Sequence, residues 1–228
     1  MKFFTVVSTA LLVATGVHSA SVFRGEAAIS DVCEGSKVIN QTYIGKDNNV
    51  LVEKLSCGDK DLRAAFSGST GLSSRQTDPN NVCGAQCNTN CFTPSGGGPN
   101  PNDCHVIADA LLFDSQNVGA IFQIGPAVNS SVITMSFRSC KTFMVDQTPN
   151  TLSYCRTDWS ALVDFIAFNC QSTQNAHGGN CVAADQRWFV QIRLPKKPGF
   201  TIEVTPRAHI KHPSSNHELF MRRKCGTE

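Results

Sequence analysis

The stretch Thr157-Asp-Trp-Ser-Ala-Leu-Val-Asp-Phe-Ile-Ala-Phe-Asn-Cys170 repeats apolar side chains at Trp159, Leu162, Val163, Ile166 and Cys170. Steps of three and four residues put them on one stripe of an amphipathic helix. Thr157 offers an N-cap, and Asp158 an acid in the first turn, where the helix dipole favours it. Further on, Arg187-Trp-Phe-Val-Gln-Ile-Arg-Leu194 alternates, with Trp188, Val190, Ile192 and Leu194 on one face of a strand. Such a helix beside such a strand calls for a sheet with helices laid on it.

The same two periods recur upstream. Asn102 and Asp103 read as a helix start, and Cys104 to Ser115 carries Ile107, Ala108, Leu111 and Leu112 on one face. Three strands are expected at Gly119–Gly125, Ser131–Phe137 and Thr142–Val145. The order helix, three strands, helix, strand gives an α+β domain with an antiparallel sheet of about four strands. Its last strand has no hairpin partner in sequence and must return beside an earlier one.

Around this domain, expected at 83–194, the chain divides by composition. Residues 1–20 have a lone Lys2, a mostly apolar run from Phe3 to Val17, and small residues at Ser19 and Ala20. That is the pattern of a secretory signal peptide, cut after Ser19 or Ala20. The run is too short for a membrane span, which takes about 20 apolar residues. Residues 21–60 form an N-terminal extension. There Ser36–Ile44 and Asn49–Ser56 flank the polar Lys46-Asp-Asn-Asn49 and read as a hairpin. Residues 61–82, rich in Ser, Gly, Asp and Asn, read as a linker. Pro195-Lys-Lys-Pro198 ends the domain, and 195–228 is a basic tail expected to have little order.

Eleven cysteines follow the leader. In an oxidising compartment they are expected to form disulfides. Cys33 and Cys57 flank one short segment and make a natural pair. Cys83, Cys87, Cys91, Cys104, Cys140, Cys155, Cys170 and Cys181 are eight, an even number, and can close among themselves. Eight cysteines allow 105 pairings, among which sequence does not choose. Cys225 is left over, either free, paired with another chain, or part of the tail. Cys83, Cys87 and Cys91 lack the C-x2-C spacing of a zinc knuckle, so no metal and no cofactor are expected. His209, His212 and His217 read as part of a solvated tail.

The formal charge of +2 hides an asymmetry. Residues 20–194 hold 12 Lys/Arg against 15 Asp/Glu, and 195–228 hold 7 against 3. A mildly acidic body argues against a nucleic-acid partner. No segment is long and apolar enough for stable membrane insertion. Asn40-Gln-Thr42 and Asn129-Ser-Ser131 are glycosylation sequons, which suit an extracellular protein.

Cys83-Gly-Ala-Gln-Cys-Asn-Thr-Asn-Cys-Phe-Thr-Pro94, Pro101-Asn-Asp-Cys-His105, Tyr154-Cys-Arg-Thr-Asp-Trp159, Asn175-Ala-His-Gly-Gly-Asn-Cys181 and Asp185-Gln-Arg-Trp-Phe189 form a distinctive set. Together they resemble the small cysteine-rich proteins secreted by mushrooms, whose named relative is the ink-cap glycan-binding protein. The resemblance covers about half of the 228 residues. It implies an α/β/α sandwich with a central antiparallel sheet, and glycans as partners. The order Cys155, helix, Cys170, Cys181 and closing strand is also similar, at fold level, to fungal killer-toxin and effector domains. Fold likeness alone does not transfer function.

A sugar site needs amides, carboxylates and backbone groups for hydroxyls, with an aromatic face for the ring. The loop Gln171-Ser-Thr-Gln-Asn-Ala-His-Gly-Gly-Asn180 has that chemistry, making Gln171, Gln174, Asn175, His177 and Asn180 the candidate ligand-binding residues. Trp159 and Trp188 are possible platforms, though both sit on apolar stripes and fit the core better. His105 and His177, oriented by Asp109, Asp114 or Asp158, would be the pair for a small hydrolase. No recognised catalytic motif accompanies them, so the expected function is a secreted lectin-like protein without catalysis. A secreted toxin or effector is the second expectation and a small hydrolase the third. A small antiparallel sheet also has edges, through which two copies could pair as a homodimer.

Overall fold

The computed structural model describes residues 26–57 and 78–195. The leader 1–20, most of the linker 61–82, the tail after Pro195, Cys225 and the three tail histidines lie outside the described residues.

The described residues begin with a single helical turn, α1 (Ile29–Val32), and a hairpin of β1 (Lys37–Ile44) and β2 (Val50–Ser56). The short strand β3 (Cys87–Cys91), the helix α2 (Pro101–Asn117), and β4 (Ile121–Ile124), β5 (Val132–Phe137), β6 (Cys140–Asp146) and β7 (Leu152–Cys155) follow. The helix α3 (Arg156–Asn169), β8 (Gly179–Ala183) and β9 (Trp188–Arg193) are the last elements among the described residues. Among the described residues, seven strands make one sheet in the order β1-β2-β5-β6-β9-β8-β3, and β4 pairs with β7 in a separate ribbon. Every named pairing is antiparallel.

The antiparallel sheet with helices packed on it and five disulfides is as expected, but four strands becomes seven. Three pairings account for the difference. Leu51–Leu55 of β2 pairs with Val132–Ser136, so the hairpin read as an extension is the margin of the main sheet. Cys87–Cys91 pairs with Gly179–Ala183, adding β3 and β8 beyond β9. The strand expected at Gly119–Gly125 leaves the main sheet to pair with Leu152–Cys155. Neither β3 nor β8 shows a run of alternating large apolar residues, and β7 alternates only over Leu152 and Tyr154. Cys87-Asn-Thr-Asn-Cys91 is polar between its cysteines and is held by covalent bonds to Cys181 and Cys170.

Both long helices lie on one face of the sheet. Ile107, Leu111, Trp159, Val163 and Ile166 share a buried cluster with Ile133, Met135, Met144, Val190 and Ile192. Ser160 Oγ donates to the Ala108 carbonyl at 2.9 Å, which marks a close approach of α2 and α3. The Trp159 indole N–H donates to Thr142 Oγ1 at 3.1 Å, satisfying two polar groups inside this layer. The other face carries the alternate residues Val132, Phe143, Val145 and Phe189, covered by Ala27, Val32 and Cys33. Among the described residues, helical cover on that side is the one turn of α1. Gln191 grips it from below: Nε2 donates to the Ala27 carbonyl at 2.9 Å, and Oε1 accepts the Ala27 N–H at 3.1 Å.

Both helix starts differ from expectation by one or two residues. Asn100, not Asn102, caps α2, its side chain accepting the Asn102 N–H, with Pro101 at the first helical position. Helix α3 starts at Arg156 with Cys155 as cap, so Thr157 lies inside the first turn. The disulfides are Cys33–Cys57, Cys83–Cys155, Cys87–Cys181, Cys91–Cys170 and Cys104–Cys140. Cys83, Cys87 and Cys91 each bond a different distant cysteine, so they do not form one metal-binding group.

Candidate functional site

The hairpin reaches over the helical layer, and a cleft of about 530 Å³ opens where it meets α2 and α3. One wall is sheet: Asn40, Thr42 and Ile44 of β1, and Val52 and Lys54 of β2. The floor is Ile133 and Met135 of β5, backed by Trp159. The facing wall is the last turn of α2 with Phe113, Asp114 and Val118, followed by Phe122 and Arg156. The volume lies in the range of small-molecule sites, about 300–1,000 Å³.

Local structure explains each polar group. The turn after β1 needs Gly45, whose φ of +88° is left-handed. A Cβ there would stand 2.8 Å from the Ala110 Cβ, so the hairpin tip rests directly on α2. Asp114 is buried near the end of α2, with its Oδ1 3.5 Å from the Gly45 N–H. Arg156 opens α3 and donates from Nη1 to the carbonyls of Gly119 at 2.5 Å and Ile121 at 3.0 Å. Its guanidinium also lies 5.5 Å from the centre of the Phe122 ring. Burial pulls the Arg156 guanidinium below its ordinary range, and the Asp114 charge opposes that pull. Lys54 is half-buried, while Lys46 and Asn48 stand exposed at the mouth.

The loop expected to bind a ligand is largely occupied with itself and with its neighbours. Asn175 Oδ1 accepts the Ser95 N–H at 3.0 Å. His177 places Nδ1 2.6 Å from the Pro94 carbonyl and Nε2 3.3 Å from Glu26 Oε2. Gln171 Nε2 donates to the Phe168 carbonyl, and Gln174 Oε1 accepts from Thr173. Asn180 is buried in β8, its Oδ1 accepting from Asn90 Nδ2 at 3.1 Å. Gln174 and Asn175 remain exposed at the loop's tip. Trp159 and Trp188 are fully buried, as their apolar stripes imply.

The two domain histidines have different settings. His105 projects from the open surface of α2, with Nδ1 3.0 Å from Asp164 Oδ1 and Nε2 3.7 Å from Asp109. The hydrogen bond to Asp164 raises its pKa, desolvation lowers it, and the charges of Asp164 and Asp109 raise it further. Asp114 does not orient either histidine and instead lines the cleft. Asp158 accepts the Gly84 N–H at 2.6 Å.

Lys54, Phe113 and Arg156 were not singled out from sequence. Lys54 had a readable signal. In Val50-Leu-Val-Glu-Lys-Leu55 it keeps the register of Val50 and Val52, so it is a charge on the inward face of a strand. Asn40, read only as a sequon, is the direct cross-strand partner of Lys54. No protein-family model matches the chain, and no curated protein matches it.

Proposed function

We propose that the protein is secreted and binds carbohydrate without turning it over, with the cleft beneath the hairpin as its saccharide site. The observation that carries this reading is the meeting, in one concavity, of the half-exposed Phe113 ring with Asn40, Thr42, Asn48 and Asp114. A ring gives the C–H face of a pyranose an apolar surface, while amides and a carboxylate pair with hydroxyls. Lys46, Lys54 and Arg156 add charge and hydrogen-bond donors. This is matching chemistry rather than the nucleophile–base geometry that covalent catalysis requires. Secretion is supported by the leader pattern and by five disulfides, which persist in oxidising compartments.

Two surface features bear on the reading. A glycan carried at Asn40 would lie at the margin of the same cleft, whereas one at Asn129 would stand on an exposed turn. Among the described residues β1 has no neighbour on its outer edge, and a second copy pairing there would form the homodimer.

The test is a glycan-array screen of full-length secreted protein, with its own glycans intact and enzymatically trimmed. Saturable binding to one glycan class, competed by the free sugar and weakened at least tenfold by Phe113→Ala, is the expected result. A blank from folded protein in both forms, beside growth inhibition insensitive to free sugars, would replace this reading with the toxin or effector one.

A further inference from the structure

Resting on the carbohydrate reading above, we infer that the saccharide held in the cleft is acidic, with Lys54 as the counter-ion of its carboxylate.

The cations of the described residues divide by partner. Lys141 pairs with Glu53 at 3.6 Å, Arg187 with Asp185 at 2.7 Å and Arg193 with Glu26 at 3.7 Å. Arg138 lies 4.0 Å from Asp103, and Arg156 is held by two carbonyls. Lys37, Lys46 and Lys54 have no such partner among the described residues, and of these three Lys54 alone is half-buried. It stands between Asn40 on β1 and Ile133 on β5 and lines the cleft. An ammonium in that setting has lost part of its hydration and gained no salt-bridge partner among the described residues, which is costly. An anionic ligand would remove the cost on binding.

The balance of charge points the same way. Lys46, Lys54 and Arg156 face one carboxylate, that of Asp114, so the concavity carries a positive excess. Apolar walls focus such a field toward an incoming anion. A neutral sugar would leave Lys54 unpaired under a drier lid. A uronic or sialic acid offers its hydroxyls to Asn40 and Asp114 and its carboxylate to Lys54. Lys is a point charge, so the geometry asks for one carboxylate and not a planar bidentate fit.

The test uses full-length secreted protein on an array that carries each acidic glycan beside its methyl ester, with a fluorescent fatty acid as a third probe. The free acid should bind about tenfold or more tightly than its ester, as expected for a charge-assisted contact. Added salt should narrow that gap. Lys54→Met should abolish the preference with an unchanged near-ultraviolet dichroism spectrum, and Lys54→Arg should restore part of it. Equal binding of acid and ester, indifferent to Lys54→Met, would overturn the inference and leave the carbohydrate reading standing. Lys54-dependent capture of the fatty acid, with every glycan blank, would overturn both and identify an amphipathic carboxylate as the ligand.

Discussion

Lys54 and Ile133 are direct cross-strand partners, which puts an ammonium beside the apolar floor of the cleft. The pairing follows from register alone. With β2 antiparallel to β5, the residue that keeps the phase of Val50 and Val52 must face the helical layer. A one-residue slip would turn Glu53 inward and destroy the charge pattern on which the binding account depends. The register is held from the far side, where Glu53 accepts from Thr134 Oγ1 at 3.1 Å and pairs with Lys141.

The roof of the cleft depends on Gly45. Its φ is +88° and an added Cβ would lie 2.8 Å from the Ala110 Cβ. Gly45→Ala is expected to cost about 1–3 kcal/mol in urea unfolding and to weaken ligand binding. Gly35 is the control, since its φ is +65° but an added Cβ meets nothing within 4 Å. Gly35→Ala should be milder and leave binding unchanged. Equal effects at the two sites would show that backbone strain, not contact with α2, sets the roof.

Asp146 makes stability depend on pH. It is fully buried, with Oδ1 accepting from the Thr148 N–H at 2.8 Å and the Thr148 hydroxyl at 2.9 Å, while Oδ2 has no hydrogen-bond partner among the described residues. Burial pushes its carboxyl up to about 7 from 3.8, against the opposing Thr148 bonds and the Arg187 charge. The folded state therefore keeps a proton that the unfolded chain releases. Its stabilising contribution is complete below about pH 3.8 and is lost as the pH rises to about 7. The raised pKa of His105 acts in the same sense, with stability lost as pH rises through its folded value. The thermal midpoint should fall from about pH 4 to about pH 7, and Asp146→Asn should flatten most of that fall. A midpoint that rises over this range, with the variant tracking it, would contradict the assignment.

The Cys33–Cys57 bond closes a loop of 24 residues and ties the end of α1 to the end of β2. Replacing both cysteines by serine should lower stability by about 2–4 kcal/mol. It should also loosen the segment that covers Phe143, Phe189 and Gln191. Hydrogen exchange should then quicken at Ala27, whose N–H is bonded to Gln191. Unchanged exchange there would mean that Gln191, Arg193 and Glu26 hold the cover without the disulfide.

Elements with a strong period were legible in the chain. The 3.6-residue stripe of α3 and the alternation of β5 and β9 each survive within one or two residues. The hairpin was legible too, because polar Lys46–Asn49 separates two β-rich runs. What failed to show was pairing at a distance. Cys87–Cys91 is a strand because disulfides and β8 hold it, and no local preference of Asn-Thr-Asn announces that. The site was hidden for the same reason. Asn40, Lys54, Phe113 and Arg156 come from four elements and converge only when the hairpin folds over α2. The amide-rich 171–180 loop looked like a binding surface because composition does not reveal that Ser95, Pro94 and Glu26 take up its polar atoms.

The most direct measurement is an amide chemical-shift map of the ¹⁵N-labelled protein, titrated with the glycan that the array selects. The account predicts saturable shifts concentrated at Asn40–Asn48, Lys54 and Phe113–Val118, with the 171–180 loop unmoved. Shifts centred on Gln174–Gly178 and absent from the hairpin would contradict it and place the sugar on the loop.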